Sequence, residues 1–265
     1  MKIGAMTNPH EELIPQLLWL GEHAFDYVDL AVEPPKADAP DISPIPVRQA
    51  LDRYGMGVVV HTSPFLPFSS PSRPVQDAVL AELGRALQLA HDLRASLLTI
   101  HYAGGPPFFS HQDVALWYAG LATALCNAAE SLNLTVALEN SPENKDQTKI
   151  LRDIFRRVPS LRLLLDVAHA NLGVPRNLTD DILWDADLGL RLAHVHLSDN
   201  DGQRDLHAPL GGARNGMDWP KMISSLRKRG YYGTITLEVF TPDRDYLLIS
   251  RDKFKAWWAA AQRQV

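Results

Sequence analysis

Residues 191–219 read RLAHVHLSDNDGQRDLHAPLGGARNGMDW. The run from Arg191 to Leu197 is largely apolar and alternates in the manner of a strand, and it then releases into a glycine-rich loop. Strand end and loop together carry His196, Asp199, Asp201, Asp205 and His207. Imidazoles and carboxylates at this density suit a divalent cation, because each supplies a lone pair and the acids offset the charge. Taken alone, the same letters also describe a solvated acidic loop with a stray histidine. Other segments of the chain that end in the same way decide between the two.

Working outward, short β-rich runs alternate with helical patterns along the whole chain. Strands are expected at Lys2 to Met6, Tyr27 to Glu33, Gly57 to Thr62, Ser96 to Tyr102, Leu134 to Asn140, Leu161 to Val167, Arg191 to Leu197 and Gly233 to Phe240. Helices are expected at His10 to His23, Pro46 to Tyr54, Arg73 to Leu93, His111 to Leu132, Lys145 to Arg157, Leu178 to Leu188, Trp219 to Lys228 and Asp245 to Gln262. Runs such as LLLDV, VVVH and SLLTIHY are almost continuously apolar, as strands of a parallel sheet covered on both faces must be. Strict β/α alternation through 265 residues, with no linker or shift in composition, predicts one domain spanning residues 1–265, a closed (β/α)8 TIM barrel. An open doubly wound sheet is the lesser alternative.

Composition narrows the class further. The formal net charge is -5 and no run of Lys and Arg forms a basic arm, which disfavours a sequence-independent nucleic-acid binder. The start MKIGAMTNPHEE lacks a basic-then-apolar leader, and no long uncharged apolar run is present, so neither secretion nor a membrane span is expected. A cytoplasmic protein is the expectation. The lone Cys126 excludes an internal disulfide and reads as a small packing residue in an alanine-rich helix.

In a parallel barrel the chemistry collects where strands run out at their C-terminal ends. Those ends deliver Thr7 and Asn8, Glu33 before Pro34 and Pro35, His61, His101, Glu139 and Asn140, Asp166 with His169, His196 with Asp205 and His207, and Glu238. A single histidine at a strand end is more often a hydrogen-bonded structural residue than a ligand. His194, inside its strand, is read in that way or as a support for ligands, and His10, His23, His91 and His111 as surface or capping residues. Glu139 and Glu238 differ, because a carboxylate among valines and leucines is expensive unless it is paired or bound to a cation.

With VVVHTS, TIHYAGG, ALENS, LLLDVAHAN, HVHLSDNDG, RDLHAPLG and TLEVF, the chain resembles the xylose isomerase-like TIM barrel superfamily over essentially its whole length. That group includes sugar isomerases and epimerases and the apurinic-site nuclease endonuclease IV. The resemblance implies a divalent metal cofactor (Zn, Mn, Mg or Co), one to three ions. In the epimerase-like pattern one ion falls on Glu139, Asp166, His196 and Glu238. In the endonuclease IV pattern three zinc ions fall on His61, His101 and Glu139; on Glu139, Asp166, His196 and Glu238; and on His169, Asp205 and His207.

Two mechanisms follow. In the first, Glu139 and Glu238 are the catalytic residues and exchange protons beside the carbonyl of a small sugar, a reaction helped by a cation placed where negative charge develops. His101, His169 and Arg204 then bind substrate hydroxyls, Trp19, Phe65, Phe68, Phe108 or Trp219 supply apolar walls, and the loop TSPFLPFSSPSRP acts as a lid. Gly104 with Gly105, and Gly211 with Gly212, are weak phosphate signals only. In the second, clustered zinc ions hydrolyse a phosphodiester. Against it stands the scarcity of bases in the surrounding loops, since phosphate contacts call for Lys and Arg. A third option is a degenerate barrel used as a binding scaffold, against which the complete ligand set argues. A homo-oligomer is compatible with the resemblance.

Overall fold

The apolar runs become eight parallel strands: β1 (Lys2–Met6), β2 (Tyr27–Val32), β3 (Gly57–Thr62), β4 (Leu97–His101), β5 (Thr135–Glu139), β6 (Arg162–Asp166), β7 (Leu192–Leu197) and β8 (Thr234–Leu237). The computed structural model describes residues 1–102, 108–141 and 147–262. Each strand pairs with the next in sequence, and β1 pairs with β8 through Lys2↔Thr234 to Ala5↔Leu237. The sheet is therefore a closed barrel, and the doubly wound alternative is excluded.

Eight helices form the outer ring: α1 (Leu13–Glu22), α2 (Pro44–Tyr54), α3 (Arg73–Asp92), α4 (His111–Ser131), α5 (Gln147–Arg157), α6 (Thr179–Trp184), α7 (Trp219–Lys228) and α8 (Asp245–Gln262). Their inner faces share one apolar core with the outward faces of the strands. On α5, Ile150, Leu151, Ile154 and Phe155 recur at helical spacing and are all buried. Each such side chain contributes about 1.5–3 kcal/mol when fully buried.

Several boundaries depart from the expected ones, α1 starting at Leu13 rather than His10 and β8 ending at Leu237 rather than Phe240 among them, and three others have clear local reasons. α2 begins two residues early because Ser43 precedes Pro44, whose missing N–H costs nothing in a first helical turn. α6 stops short because the Asp185 carboxylate accepts from the backbone N–H groups of Asp187 (2.9 Å) and Leu188 (3.2 Å), a turn that replaces the next helical one. β2 ends at Val32 because Pro34 and Pro35 have no N–H to continue the ladder. The expected start of α5 at Lys145 and the pair Gly104 and Gly105 lie outside the described residues. Among the described residues no helix is long and apolar enough to cross a membrane.

Inside the barrel the period of two sorts the side chains by height. Near the N-terminal ends Tyr27, Val59, Leu97, Ala137 and Leu164 form a small separate apolar cluster. Gly4, paired with Tyr27, leaves room for that ring: a Cβ at Gly4 would lie 2.5 Å from Tyr27 Cζ. Above this cluster come Asp29 on β2, His194 on β7 and Thr236 on β8, and at the C-terminal rim His61, His101, Glu139, His196 and Glu238.

Candidate functional site

The C-terminal rim opens into a cavity of about 520 Å³. Its walls include His61, His101, Glu139, His169, Asp205, His207 and Glu238. Side chains that are far apart in sequence therefore converge at the height where strand ladders end. Asn140 locks this geometry by accepting from Asp166 N (2.7 Å) and donating to Asp166 O (2.9 Å), which ties β5 to β6 beyond their regular pairing.

Four groups form the centre of the cluster. One ligand atom from each of Glu139, Asp166, His196 and Glu238 falls within 4.8 Å of the others. His196 Nδ1 is 3.0 Å from Glu238 Oε2 and 4.0 Å from Glu139 Oε2. His61, His101 and Glu139 form an adjoining trio, with His61 Nε2 2.7 Å from His101 Nε2 and His101 Nε2 3.1 Å from Glu139 Oε2. His169 bridges outward, its Nδ1 2.9 Å from Glu139 Oε1 and its Nε2 3.1 Å from Asp205 Oδ2. His207 closes the ring at 3.3 Å from Asp205 and 3.6 Å from Glu238 Oε1. All nine predicted ligand positions are thus brought to one rim, although the trio His169, Asp205 and His207 lies nearer the mouth than the central four.

The donor set fits a divalent cation. Asp166 is fully buried and Glu139 nearly so, and among the described residues Asp166 Oδ2 accepts no hydrogen bond. Buried carboxylate oxygens without a partner are costly unless a positive charge faces them. Three carboxylates and one imidazole are the oxygen-rich, borderline set that such ions take. Burial, reinforced by Glu139 and Glu238 and opposed by His169, pushes Asp166 up to about 7. For Glu139 burial acts in the same direction, but the hydrogen bonds and charges of His101 and His169 outweigh it and hold the group well below the usual range. Burial, with His101 alongside, pushes His61 down to about 4, which leaves a neutral imidazole with a lone pair to give. Burial also acts against a charged His207, but Glu238 and Asp205 override it and push that ring up to about 9.

A profile of the xylose isomerase-like TIM barrel family matches residues 17–261. The chain belongs to that family. Among curated relatives of this xylose isomerase-like barrel, an uncharacterized protein of Methanocaldococcus jannaschii is 25% identical over 242 residues, covering 86% of this chain and 79% of the relative. The fructoselysine 3-epimerase of Escherichia coli O157:H7 is 24% identical over 260 residues, covering 91% of each chain. A solved structure of a D-tagatose 3-epimerase-like protein superposes with a TM-score of 0.85 at 21% identity, covering 100% of this chain and 99% of that one.

The xylose isomerase-like barrel corrects several sequence expectations. Arg204, expected to bind substrate, is well exposed, pairs with Asp201 at 3.1 Å and does not line the cavity. Asp201 three residues earlier captures it across a tight turn. Asp199, in the same loop, holds backbone: its carboxylate accepts from the N–H groups of Asn200 (3.0 Å), Met217 (3.2 Å) and Ala213 (3.4 Å) and so braces the loop that presents Asp205 and His207. His207 itself sits at φ 44, a left-handed conformation that costs a non-glycine residue energy and recurs at functional sites. Of the five aromatics expected to wall the site, Phe65 alone lines the cavity; Phe68 stacks on Tyr118 beneath the loop, and Trp219 is buried in the core. Pro64 beside Phe65 also lines it, so the loop after His61 does stand over the mouth.

Two residues escaped the sequence reading. His10, expected at the surface, lines the cavity from the turn before α1, and Asp29 lies fully buried directly below His196. A charged residue in the middle of the apolar strand YVDLAV was the available signal for Asp29, since a buried charge there demands a partner.

Proposed function

We propose that this protein is a divalent-metal-dependent sugar epimerase or isomerase that moves a proton at the carbon beside a carbonyl. The observation that supports it most directly is the convergence of Glu139, Asp166, His196 and Glu238 within 4.8 Å, with the buried Asp166 Oδ2 lacking a hydrogen-bond partner among the described residues. A divalent ion held by those four residues would polarise the substrate carbonyl and offset the negative charge that develops as the proton leaves.

The remaining chemistry belongs to the chain. Glu139 and Glu238 come from β5 and from the end of β8, strands separated around the barrel, so their carboxylates approach a bound substrate from different directions. One removes the proton and the other returns it to the opposite face, as two positioned carboxylates can. His169, 2.9 Å from Glu139 Oε1, orients that carboxylate, and His101 and His169 offer hydrogen bonds to hydroxyls. Phe65 and Pro64 narrow the mouth and reduce access of water. A 3-epimerase of a ketose derivative among the relatives is in keeping with this substrate class.

A second reading, phosphodiester hydrolysis at clustered zinc ions, draws on the adjoining trio His61, His101 and Glu139. Against it, none of the described residues lining the cavity is Lys or Arg, the groups that grip phosphate.

The test is exchange of the proton next to the carbonyl. Metal-stripped protein reloaded with Mn, Mg, Co or Zn is incubated with a ketose panel in D2O and followed by NMR. Deuterium incorporation is expected with at least one ketose; no exchange with any combination defeats the proposal, and zinc-dependent nicking of an abasic-site duplex would install the second reading.

A further inference from the structure

Directly below the carboxylate cluster the barrel holds a second polar group that the proposed proton transfer does not use. Asp29 in β2 is fully buried, and its Oδ2 atom receives hydrogens from three neighbours: Thr236 Oγ1 at 2.7 Å, His196 Nε2 at 2.9 Å and His194 Nε2 at 3.1 Å. Tyr27 supports the group from below, its hydroxyl 2.8 Å from Thr236 Oγ1, and Thr234 Oγ1 lies 2.6 Å from His194 Nδ1. Burying a carboxylate this deeply costs several kcal/mol unless its charge is matched.

The geometry around His196 shows what that charge does. Its ring spans the two layers, with Nε2 against Asp29 and Nδ1 against Glu238 Oε2 at 3.0 Å. A neutral imidazole has one N–H and one lone pair. Both nitrogens face a carboxylate oxygen, but a cation bound among Glu139, Asp166 and Glu238 lies on the Nδ1 side and needs that lone pair, so the hydrogen stays on Nε2 against Asp29. We propose that Asp29 is a positioning residue that fixes His196 in its Nε2–H form and turns the Nδ1 lone pair toward the cation held with Glu139, Asp166 and Glu238. This rests on the metal-dependent reading above. A carboxylate behind a ligand imidazole also makes it a better electron donor, and loss of such a partner typically weakens metal binding by about 10–100-fold.

The experiment uses the full chain and Zn²⁺ as probe, with affinity read by competition against a chromophoric chelator. Asp29→Asn is expected to weaken Zn²⁺ binding by about 10–100-fold. Thr236→Val, which removes a different donor to the same carboxylate and leaves the His196 bond, is expected to bind Zn²⁺ close to wild type. Independently of any variant, ¹H–¹⁵N spectra of histidine-labelled, Zn²⁺-loaded wild type should show His196 protonated at Nε2 and ligated at Nδ1. A hydrogen on Nδ1, or an unchanged affinity in Asp29→Asn, overturns the inference and leaves the proposed reaction standing. Weakened binding in a protein that turns over no sugar upholds the inference and removes the reaction. Because Asp29, His61 and His196 also have ligand atoms within 4.8 Å of one another, a variant that loses one bound ion with the affinity of the remaining site unchanged would make Asp29 a ligand and overturn the positioning role. A wild type that binds no Zn²⁺ overturns both.

Discussion

Gly4→Ala tests whether the lower layer of the barrel is as closely fitted as the structure shows. The added methyl would lie 2.5 Å from Tyr27 Cζ and 2.6–2.7 Å from both Cε atoms, well inside ordinary carbon contact. The clash is with the hydroxyl end of the ring, and that hydroxyl is held 2.8 Å from Thr236 Oγ1. Overpacking costs about 1–3 kcal/mol, and a buried hydroxyl pulled from its partner about 1–3 more, so a loss of roughly 2–6 kcal/mol is expected. Urea unfolding monitored by circular dichroism measures it, and the melting temperature should fall by on the order of 10 °C. Gly84→Ala in α3 is the control: nothing lies within 4 Å of its added Cβ, and replacing a glycine inside a helix should stabilise by about 0.5–1 kcal/mol. In the double variant Gly4→Ala/Tyr27→Phe the costs should not add, because the hydroxyl bond is already gone. If Gly4→Ala alone stays within about 0.5 kcal/mol of wild type, the close fit of Tyr27 is refuted.

Other outcomes follow from the rim. Glu139→Gln and Glu238→Gln should each reduce proton exchange by about 10²–10⁴-fold, as loss of a general acid or base does, and exchange above a tenth of wild type in either would remove that residue from the chemistry. Dialysis against a chelator should lower the melting temperature and readdition of the ion restore it, because binding to the folded state alone stabilises it. A melting curve indifferent to metal would count against the site. Arg204→Ala should leave kcat/KM within about twofold of wild type, a change of under half a kcal/mol, since its partner is Asp201 and it does not line the cavity. Burial pushes the Cys126 thiol up, despite a hydrogen bond with Ser160 that acts the other way, so at pH 8 its thiolate fraction is smaller than in a free thiol. Alkylation of the native protein should therefore be slow, quicken as pH rises, and reach the free-thiol rate in urea; rapid labelling at pH 8 without denaturant would contradict this.

Strand positions, closure of the barrel and the residue types at the rim were legible because they depend on local periodicity and on where apolar runs stop. Helix ends were less so: Asp185 ends α6 through side-chain bonds to its own loop, while Asp180 and Asp181 lie inside the same helix. The site was legible as a set of ligand types but not as a ranking. Asp199, Asp201 and Asp205 stand close together in one loop, and only the folded turn shows that the first grips backbone N–H groups and the second pairs with Arg204, while the third faces the cavity. Asp29 was overlooked because its role is to touch His196 across 167 positions of sequence, a contact that requires the register of two strands on opposite arcs of the barrel.

The loop from Asp199 to Met217 fastens to itself: Asp199 exchanges two backbone hydrogen bonds with Ala208, and its carboxylate gathers N–H groups from further along the same loop. Gly216 leaves the space this requires, since a Cβ there would meet Asp199 Oδ2 at 2.7 Å. A segment that carries much of its own scaffold behaves as a cassette, provided the recipient barrel also supplies the outside bonds, such as Phe240 N–H to His207 O and Leu210 N–H to Ser250 Oγ. Transplanted whole between barrels of this family, it would bring Asp205 and His207 along in working orientation, whereas point substitutions would have to rebuild that orientation piecemeal.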